Sequence, residues 1–297
     1  MITTKELMKI SGFTIIKNAV INDYPIVEAI NSILPVVDEM IVLAGDSNDE
    51  TKKLMLGINN DKIKIFDSVW EPSLRKGGTV LAVETDKAFK LVDPQSTWAF
   101  YIQADEAVHE KYLPAILDAC IKYKDDEQVE GLLFKYLHFY GTYDYVGDSR
   151  RWYNREIRII KNDKSINAYK DAQGFRKGNK KLKVKLIDAY IYHYGWVKSP
   201  QQMKKKMKNV SKYWNDDSDN LQAFLKSKDF FNYEEFDSLA KFSGNHPAVL
   251  ERRIREKNWD VKFDLTRKRF SFKDRLLYWF EKKTGKRLFD FKNYTII

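Results

Sequence analysis

The chain of 297 residues is 43% hydrophobic and 32% charged, enough for one large core or two modest domains and too long for a simple binding module. Its formal net charge of +10 points to an anionic partner, whether nucleic acid, anionic lipid or a nucleotide-linked substrate. A lone Cys120 excludes an intramolecular disulfide framework and a cysteine zinc site, and no apolar run approaches the ~18 residues of a membrane span, so a soluble, cytoplasmic protein is expected.

In chain order, the start at Met1–Glu6 carries no apolar leader segment. Phe13–Ile16 reads as a buried strand, and Asp23-Tyr24-Pro25 starts a helix on which Ile26, Ile30, Ile33 and Leu34 share a face. Met40–Ala44 is a second strand, ending in Gly45-Asp46-Ser47-Asn48-Asp49-Glu50-Thr51. A short helix at Lys52–Leu56 and a strand at Ile63–Phe66 follow, and Gly77-Gly78 opens a helix reaching about Leu91. Asp93-Pro94 ends it before a fourth strand at Trp98–Ile102. Strands and helices that alternate with short connections predict a mainly parallel sheet covered on both faces, a nucleotide-binding half reaching about residue 110.

Cys120 falls in a helix at about Lys111–Lys124, where it reads as a buried thiol. Strands at Gly131–Tyr140, Glu156–Lys161 and Ile187–Tyr194 come next, separated by polar, aromatic loops. Ser199-Pro200-Gln201-Gln202 has the form of a capping box, and Met203, Met207 and Val210 share one face of the lysine-rich helix it begins. Basic clusters occupy Arg176–Lys185, Lys204–Lys208 and the chain from Lys262 onward. The expected division is residues 1–214 as an α/β domain, with an acceptor half at about 111–214, and residues 215–297 as a helical C-terminal extension.

Everything else is organised around Trp98-Ala99-Phe100-Tyr101-Ile102-Gln103-Ala104-Asp105-Glu106, an apolar run that ends in two carboxylates. Such a run places its acids at the C-terminal end of a buried strand, where open α/β sheets bind ligands. Paired carboxylates there call for a positive partner, a divalent metal or a basic side chain.

Lys17-Asn18 after the first strand, the acidic turn after the second, the Gly-Gly helix start, the Gln-Ala-Asp-Glu run and the later His193-Tyr194-Gly195-Trp196 together resemble family 2 of the glycosyltransferases. The resemblance covers residues 11–214, and within the family it is nearest to enzymes that build bacterial lipopolysaccharide core and surface polysaccharide. It implies the GT-A (Rossmann-like) fold and an inverting, metal-dependent hexosyltransferase. The donor would be a nucleotide-diphosphate sugar, UDP-sugar foremost, and the acceptor a glycan or a lipid-linked saccharide.

The resemblance also implies roles. Asp105 matches the last aspartate of the family's Asp-x-Asp motif, the one that touches Mn²⁺ or Mg²⁺, with Glu106 beside it as a second carboxylate. Gln103 replaces the first aspartate and keeps an amide able to reach a ribose hydroxyl. His193 matches the late metal ligand, with His109 a weaker rival. Lys17, Asn18, Asp46, Asp49 and Gly78 fall on donor-binding positions; Asp46 and Asp49 serve equally well as residues of an Asx-rich turn capping the next helix. Arg75 and Lys76 stand where they meet the diphosphate or form a solvated basic turn. Asp171 is the preferred catalytic base for the acceptor hydroxyl, ahead of Glu156 and Asp148. Arg158 and Arg176 would position the acidic loop or the phosphates.

From Phe270 to Ile297 bulky apolar and basic residues alternate, a pattern that suits either contact with the anionic inner face of the plasma membrane or core packing with a snorkelling basic rim. Two other classes fit the composition. One is a basic nucleic-acid-binding protein that stacks bases on its aromatics, but no binding motif supports it and no nucleic-acid partner is expected. The other is a GT-A-like protein without catalysis, given Gln103 and the altered turn after the second strand.

Overall fold

The computed structural model describes residues 8–74, 76–214 and 218–297. Arg75 and Met1–Glu6 lie outside the described residues. The first half runs β1 (Ile10–Ile16), α1 (Ile26–Ile33), β2 (Glu39–Gly45), α2 (Thr51–Leu56), β3 (Ile63–Ser68), α3 (Thr79–Lys90) and β4 (Trp98–Tyr101). Next come β5 (Glu106–Val108), α4 (Leu113–Tyr123), β6 (Gly131–Gly141), β7 (Tyr145–Gly147), β8 (Arg155–Lys161), β9 (Ile166–Tyr169), β10 (Gly174–Lys177) and β11 (Lys180–Val197). The chain ends with α5 (Pro200–Val210), α6 (Asp219–Lys226), β12 (Leu239–Lys241), α7 (Glu251–Arg255), α8 (Phe272–Thr284) and β13 (Tyr294–Ile296).

The strand order is β3-β2-β1-β4-β8-β6-β11-β10-β9. The first four strands are parallel, as the βα alternation requires, and every residue of β1, β2 and β4 is buried. These strands read as continuous apolar runs because helices cover both faces. One face packs Ile30, Met40, Phe100 and Phe134; the other packs Phe13, Phe89, Tyr101 and Phe175. Past β4 the sheet turns mixed: β8 is antiparallel to both β4 and β6, while β11 runs parallel to β6. This is the expected α/β architecture, a helix-covered sheet that is parallel through its first half and mixed beyond β4.

Sequence periodicity missed the short strands. β5, β7, β9, β10, β12 and β13 span three or four residues each, too few for a period to register. β11 begins seven residues before its apolar stretch because Lys180–Leu186 alternates, burying Leu182 and Val184. Ser199 caps α5 by accepting from the Gln202 amide at 3.2 Å, while the Gln202 side chain donates to Ile21 O instead of closing the box. The stretch after residue 214 contains helices but also contributes to the sheet: β12 pairs with β7 and β13 with β11. Its Tyr233, Phe236 and Leu239 share a cluster with Tyr140 and Met203.

Candidate functional site

At Ile102 the chain leaves β4 and turns: the Glu106 amide donates to Gln103 O at 3.1 Å, and the Glu106 carboxylate accepts from the Gln103 amide at 3.0 Å. β5 then pairs antiparallel with β11, placing Glu106 opposite His193. The turn is therefore held against β11 with Asp105 at its tip, and Asp105 O accepts from the Tyr194 amide at 2.7 Å.

The two neighbouring carboxylates have separate tasks. Glu106, expected as a second carboxylate beside Asp105, is fully buried and does not line the cavity. It forms an ion pair with the equally buried Arg158 (2.8 Å) and also accepts from the Tyr136 hydroxyl, locking the turn from beneath. A buried carboxylate needs that charge and those donors. Asp105 faces a cavity instead. Its Oδ1 lies 3.6 Å from His193 Nε2 and its Oδ2 lies 3.3 Å from Lys206 Nζ. Burial would raise the Asp105 pKa, but the charges of His193, Lys206 and Lys198 outweigh it and hold the group at about 2. Burial lowers His193 below its ordinary value, against the opposing pull of Asp105. Gly195 makes this packing feasible: a Cβ there would stand 2.6 Å from Asp105 Oδ2 and 2.8 Å from His193 Cε1.

The cavity, of about 220 Å³, lies at the C-terminal ends of β1 and β4. Lys17, Gln103, Asp105, Asp171 and His193, all singled out from sequence, line it together. Asp171 reaches it from the β9–β10 hairpin, where Lys170 (φ 56°) and Ala172 (φ 60°) hold the left-handed conformation on either side. Non-glycine residues adopt that conformation at a cost, so the hairpin is held in place by its neighbours. Gln103 Nε2 donates to Ala172 O at 3.3 Å, tying the hairpin to the Asp105 turn. Gly78 (φ 73°) lets the hairpin lie on the start of α3, since a Cβ there would come within 2.7 Å of Asp171 Cβ. Gly78 thus acts by making room.

The turn after β2 plays a more structural part. Asp49 braces the turn before α2, accepting from the Thr51 amide (3.0 Å) and the Ile21 amide (2.8 Å), and does not line the cavity. Asn18, buried at φ 55°, clamps the β1 and β2 loops through Ser47 Oγ and the Asn48 amide. Asp46 accepts from Lys17 Nζ (2.7 Å) and from the Trp70 amide (2.9 Å), which fixes Lys17 at the cavity edge. Of the other candidates, Glu156 is buried against Gln173, Asp148 binds the side chains of α8, and His109 caps a short turn by accepting from the Lys111 amide.

Sequence reading missed Tyr24, Trp70, Lys206, Tyr213 and Trp214, all of which line the cavity. Trp70 and Tyr213 bring their ring centroids to 5.3 Å on one wall, and Lys17 Nζ sits 5.7 Å from the Trp70 ring. Lys206 hides among the lysines of α5, yet it lies one turn from Met203 and Val210 and so borders the inward face. Its ammonium donates to Gly195 O at 2.8 Å and lies 4.9 Å from the Tyr24 ring.

No family model and no curated protein sequence matches the chain. Among solved structures it is similar to S. aureus TarS in complex with UDP-GlcNAc, at 21% identity and a TM-score of 0.34, over 45% of this chain and 36% of that one. It is also similar to residues 1–349 of S. aureus TarS in complex with UDP, at 16% identity and a TM-score of 0.39, over 68% of this chain and 64% of that one. A third likeness is to Mycobacterium tuberculosis glucosyl-3-phosphoglycerate synthase in complex with Mn²⁺, UDP and phosphoglyceric acid, at 19% identity and a TM-score of 0.32, over 46% of this chain and 47% of that one. The chain thus spans less than two thirds of each of these proteins. At this distance the likeness assigns neither substrate nor residue roles.

The donor set can be tested against a divalent ion directly. Among the described residues no three His, Cys, Asp or Glu side chains gather as a self-sufficient metal site. Asp105 Oδ1 and His193 Nε2, 3.6 Å apart, are close enough to share one ion, since ligand atoms sit about 2.1 Å from such metals. A hard ion that takes its remaining ligands from a diphosphate fits this pair. Two features run against a site built for metal alone: Lys206 already borders Asp105, and the buried His193 Nδ1 has no protein partner to fix its tautomer.

Proposed function

We propose that the chain is a glycosyltransferase that moves a sugar, with inversion, from a nucleotide-diphosphate donor to a hydroxyl of a glycan or lipid-linked acceptor. The observation that carries this reading is the meeting of Asp105, His193, Lys206, Lys17 and Asp171 around one cavity at the strand ends. Residues 1–110 supply most of the donor side, and residues 111–214 the acceptor side. UDP is the foremost donor nucleotide, and assembly of bacterial surface polysaccharide or lipopolysaccharide is the setting implied by the family resemblance.

As the acceptor oxygen attacks the anomeric carbon, the bond from that carbon to the diphosphate oxygen breaks and negative charge builds on the leaving group. Lys206 and Lys17 supply fixed positive charge beside the space where that group departs. A divalent ion on Asp105 and His193 would add Lewis-acid stabilisation of the same charge. Trp70 and Tyr213 offer apolar ring faces suited to a nucleobase. Asp171, held across the cavity by its hairpin, takes the proton from the acceptor hydroxyl.

The deciding experiment is calorimetric titration of a panel of nucleoside diphosphates, with and without Mn²⁺, into the wild type and Asp105→Ala. Binding of one diphosphate that is weakened in the variant supports the donor site and names the base. No binding by the folded wild type with metal present would overturn the reading.

A further inference from the structure

α8 leaves a line of large apolar side chains uncovered on the protein surface. It is well formed: Ser271 Oγ accepts from the Asp274 amide at its start, and Gly285 (φ 68°) closes its end in the left-handed conformation. Its attachment to the body is polar. Tyr278 and Lys282 donate to Asp148, and Glu281 pairs with Arg150 at 2.8 Å. Lys268 reaches the same Asp148 at 3.3 Å, and these partners hold its carboxyl below the usual range against the opposing effect of burial. No residue of α8 is buried. Leu277 and Phe280 are half-buried, whereas Phe272, Leu276 and Trp279 are 86%, 58% and 57% exposed, at the i, i+4, i+7 spacing that makes one stripe. Beyond Gly285 the chain also leaves Phe289 (φ 54°) and Phe291 exposed, at 88% and 68%.

Charge identifies what covers the stripe. Lys273, Arg275, Lys283 and Lys286 are exposed on the same helix and the turn after it. The acids of α8 are already engaged, Asp274 with the capping Ser271 and Glu281 with Arg150. Residues 262–297 hold eleven Lys and Arg against four Asp and Glu. An apolar stripe with a cationic rim repels a second copy of itself and suits a surface that is apolar within and anionic at its edge. No helix among the described residues is long and apolar enough to cross a membrane, so such a helix lies in the interface.

We propose that the outer face of α8 docks the protein onto an anionic lipid bilayer, with Phe272, Leu276 and Trp279 entering the headgroup boundary and the surrounding lysines and arginine meeting lipid phosphates. Trp279 suits that depth, since its ring is apolar and its N–H prefers the wet side. The surface stands independently of the donor site and would bring a lipid-linked acceptor within reach of it.

The test is co-sedimentation of the full chain with vesicles of phosphatidylcholine alone or containing phosphatidylglycerol, at low and high salt. The expected result is partition onto the anionic vesicles only, weakened by salt, and reduced at least about tenfold in Phe272→Ser/Leu276→Ser/Trp279→Ser. A second variant, Lys273→Glu/Lys283→Glu, keeps the apolar stripe and is expected to lose the preference for anionic lipid. Thermal melting and nucleoside diphosphate binding, measured on both variants, are expected to match the wild type, which separates this surface from the donor reading. Absence of partition, or partition unchanged in the triple variant, would overturn the proposal. So would a wild-type dimer, or an oligonucleotide complex, that the triple variant abolishes without any vesicle binding.

Discussion

Lys206 holds its ammonium 3.3 Å from one oxygen of Asp105 while His193 Nε2 lies 3.6 Å from the other. Any divalent ion at Asp105 therefore shares the carboxylate with a resident cation. A diphosphate in the cavity meets positive charge even before metal arrives. Lys206→Met is accordingly expected to weaken metal-free nucleoside diphosphate binding by about ten- to a hundredfold, the worth of one charged hydrogen bond. Mn²⁺ is expected to recover most of that loss, because the ion then has the carboxylate to itself. Calorimetry in metal-free and Mn²⁺ buffers reads both effects, and equal metal-free affinities would remove Lys206 from the donor site.

Gly195 sits where a methyl group would strike Asp105 Oδ2 at 2.6 Å and His193 Cε1 at 2.8 Å. Its φ is ordinary, so the constraint is space at the site and not backbone freedom. Gly195→Ala is expected to displace the Asp105–His193 pair and abolish measurable nucleoside diphosphate binding. The fold should lose only about 1–3 kcal/mol, as overpacking does. Urea unfolding alongside calorimetry separates the two. Unchanged diphosphate affinity in the folded variant would show that the pair does not bind the donor.

The sheet was legible because its central strands are buried on both faces and announce themselves as apolar runs: Phe13–Ile16, Met40–Ala44 and Trp98–Ile102 all fall within or beside observed strands. Asp105 was legible for the same reason, standing at the end of such a run, whereas His193 was singled out only by the family resemblance. Lys206 and Trp70 were not. Lys206 belongs to a helix surface rich in lysine, and only the crossing of α5 over the Asp105 turn distinguishes it from its neighbours. Trp70 lies in a loop that no periodicity describes. Glu106 misled in the opposite sense, since a carboxylate adjacent in sequence to Asp105 points into the core toward Arg158, a partner fifty-two residues away.

Asp171 owes its place to two left-handed neighbours and to Gly78, which together direct it at the cavity without burying it. A base acts on the reacting proton and contributes little to donor affinity. Asp171→Asn is expected to lower the rate of sugar transfer by a factor of about 10²–10⁴ while leaving nucleoside diphosphate affinity within about threefold. A rate within tenfold of wild type would assign the proton transfer to another group.

Glu156 gives a test of the core beside the hairpin. Burial pushes its carboxyl up to about 8 from an ordinary 4.5, even though Arg158 and the Gln173 hydrogen bond oppose the shift, and its Oε2 has no protein partner. The folded state therefore prefers the protonated acid. The resulting stabilisation is fully present below pH 4.5 and is lost as pH rises through about 8. Glu156→Gln, which mimics the neutral acid, is expected to match the wild type near pH 5 and to exceed it by on the order of 3 kcal/mol above pH 8. Taking the difference between the two proteins cancels every other titrating group that they share. Urea unfolding of both from pH 5 to 9 measures it, and a difference that stays flat across that range would show that Glu156 is ionised within the fold.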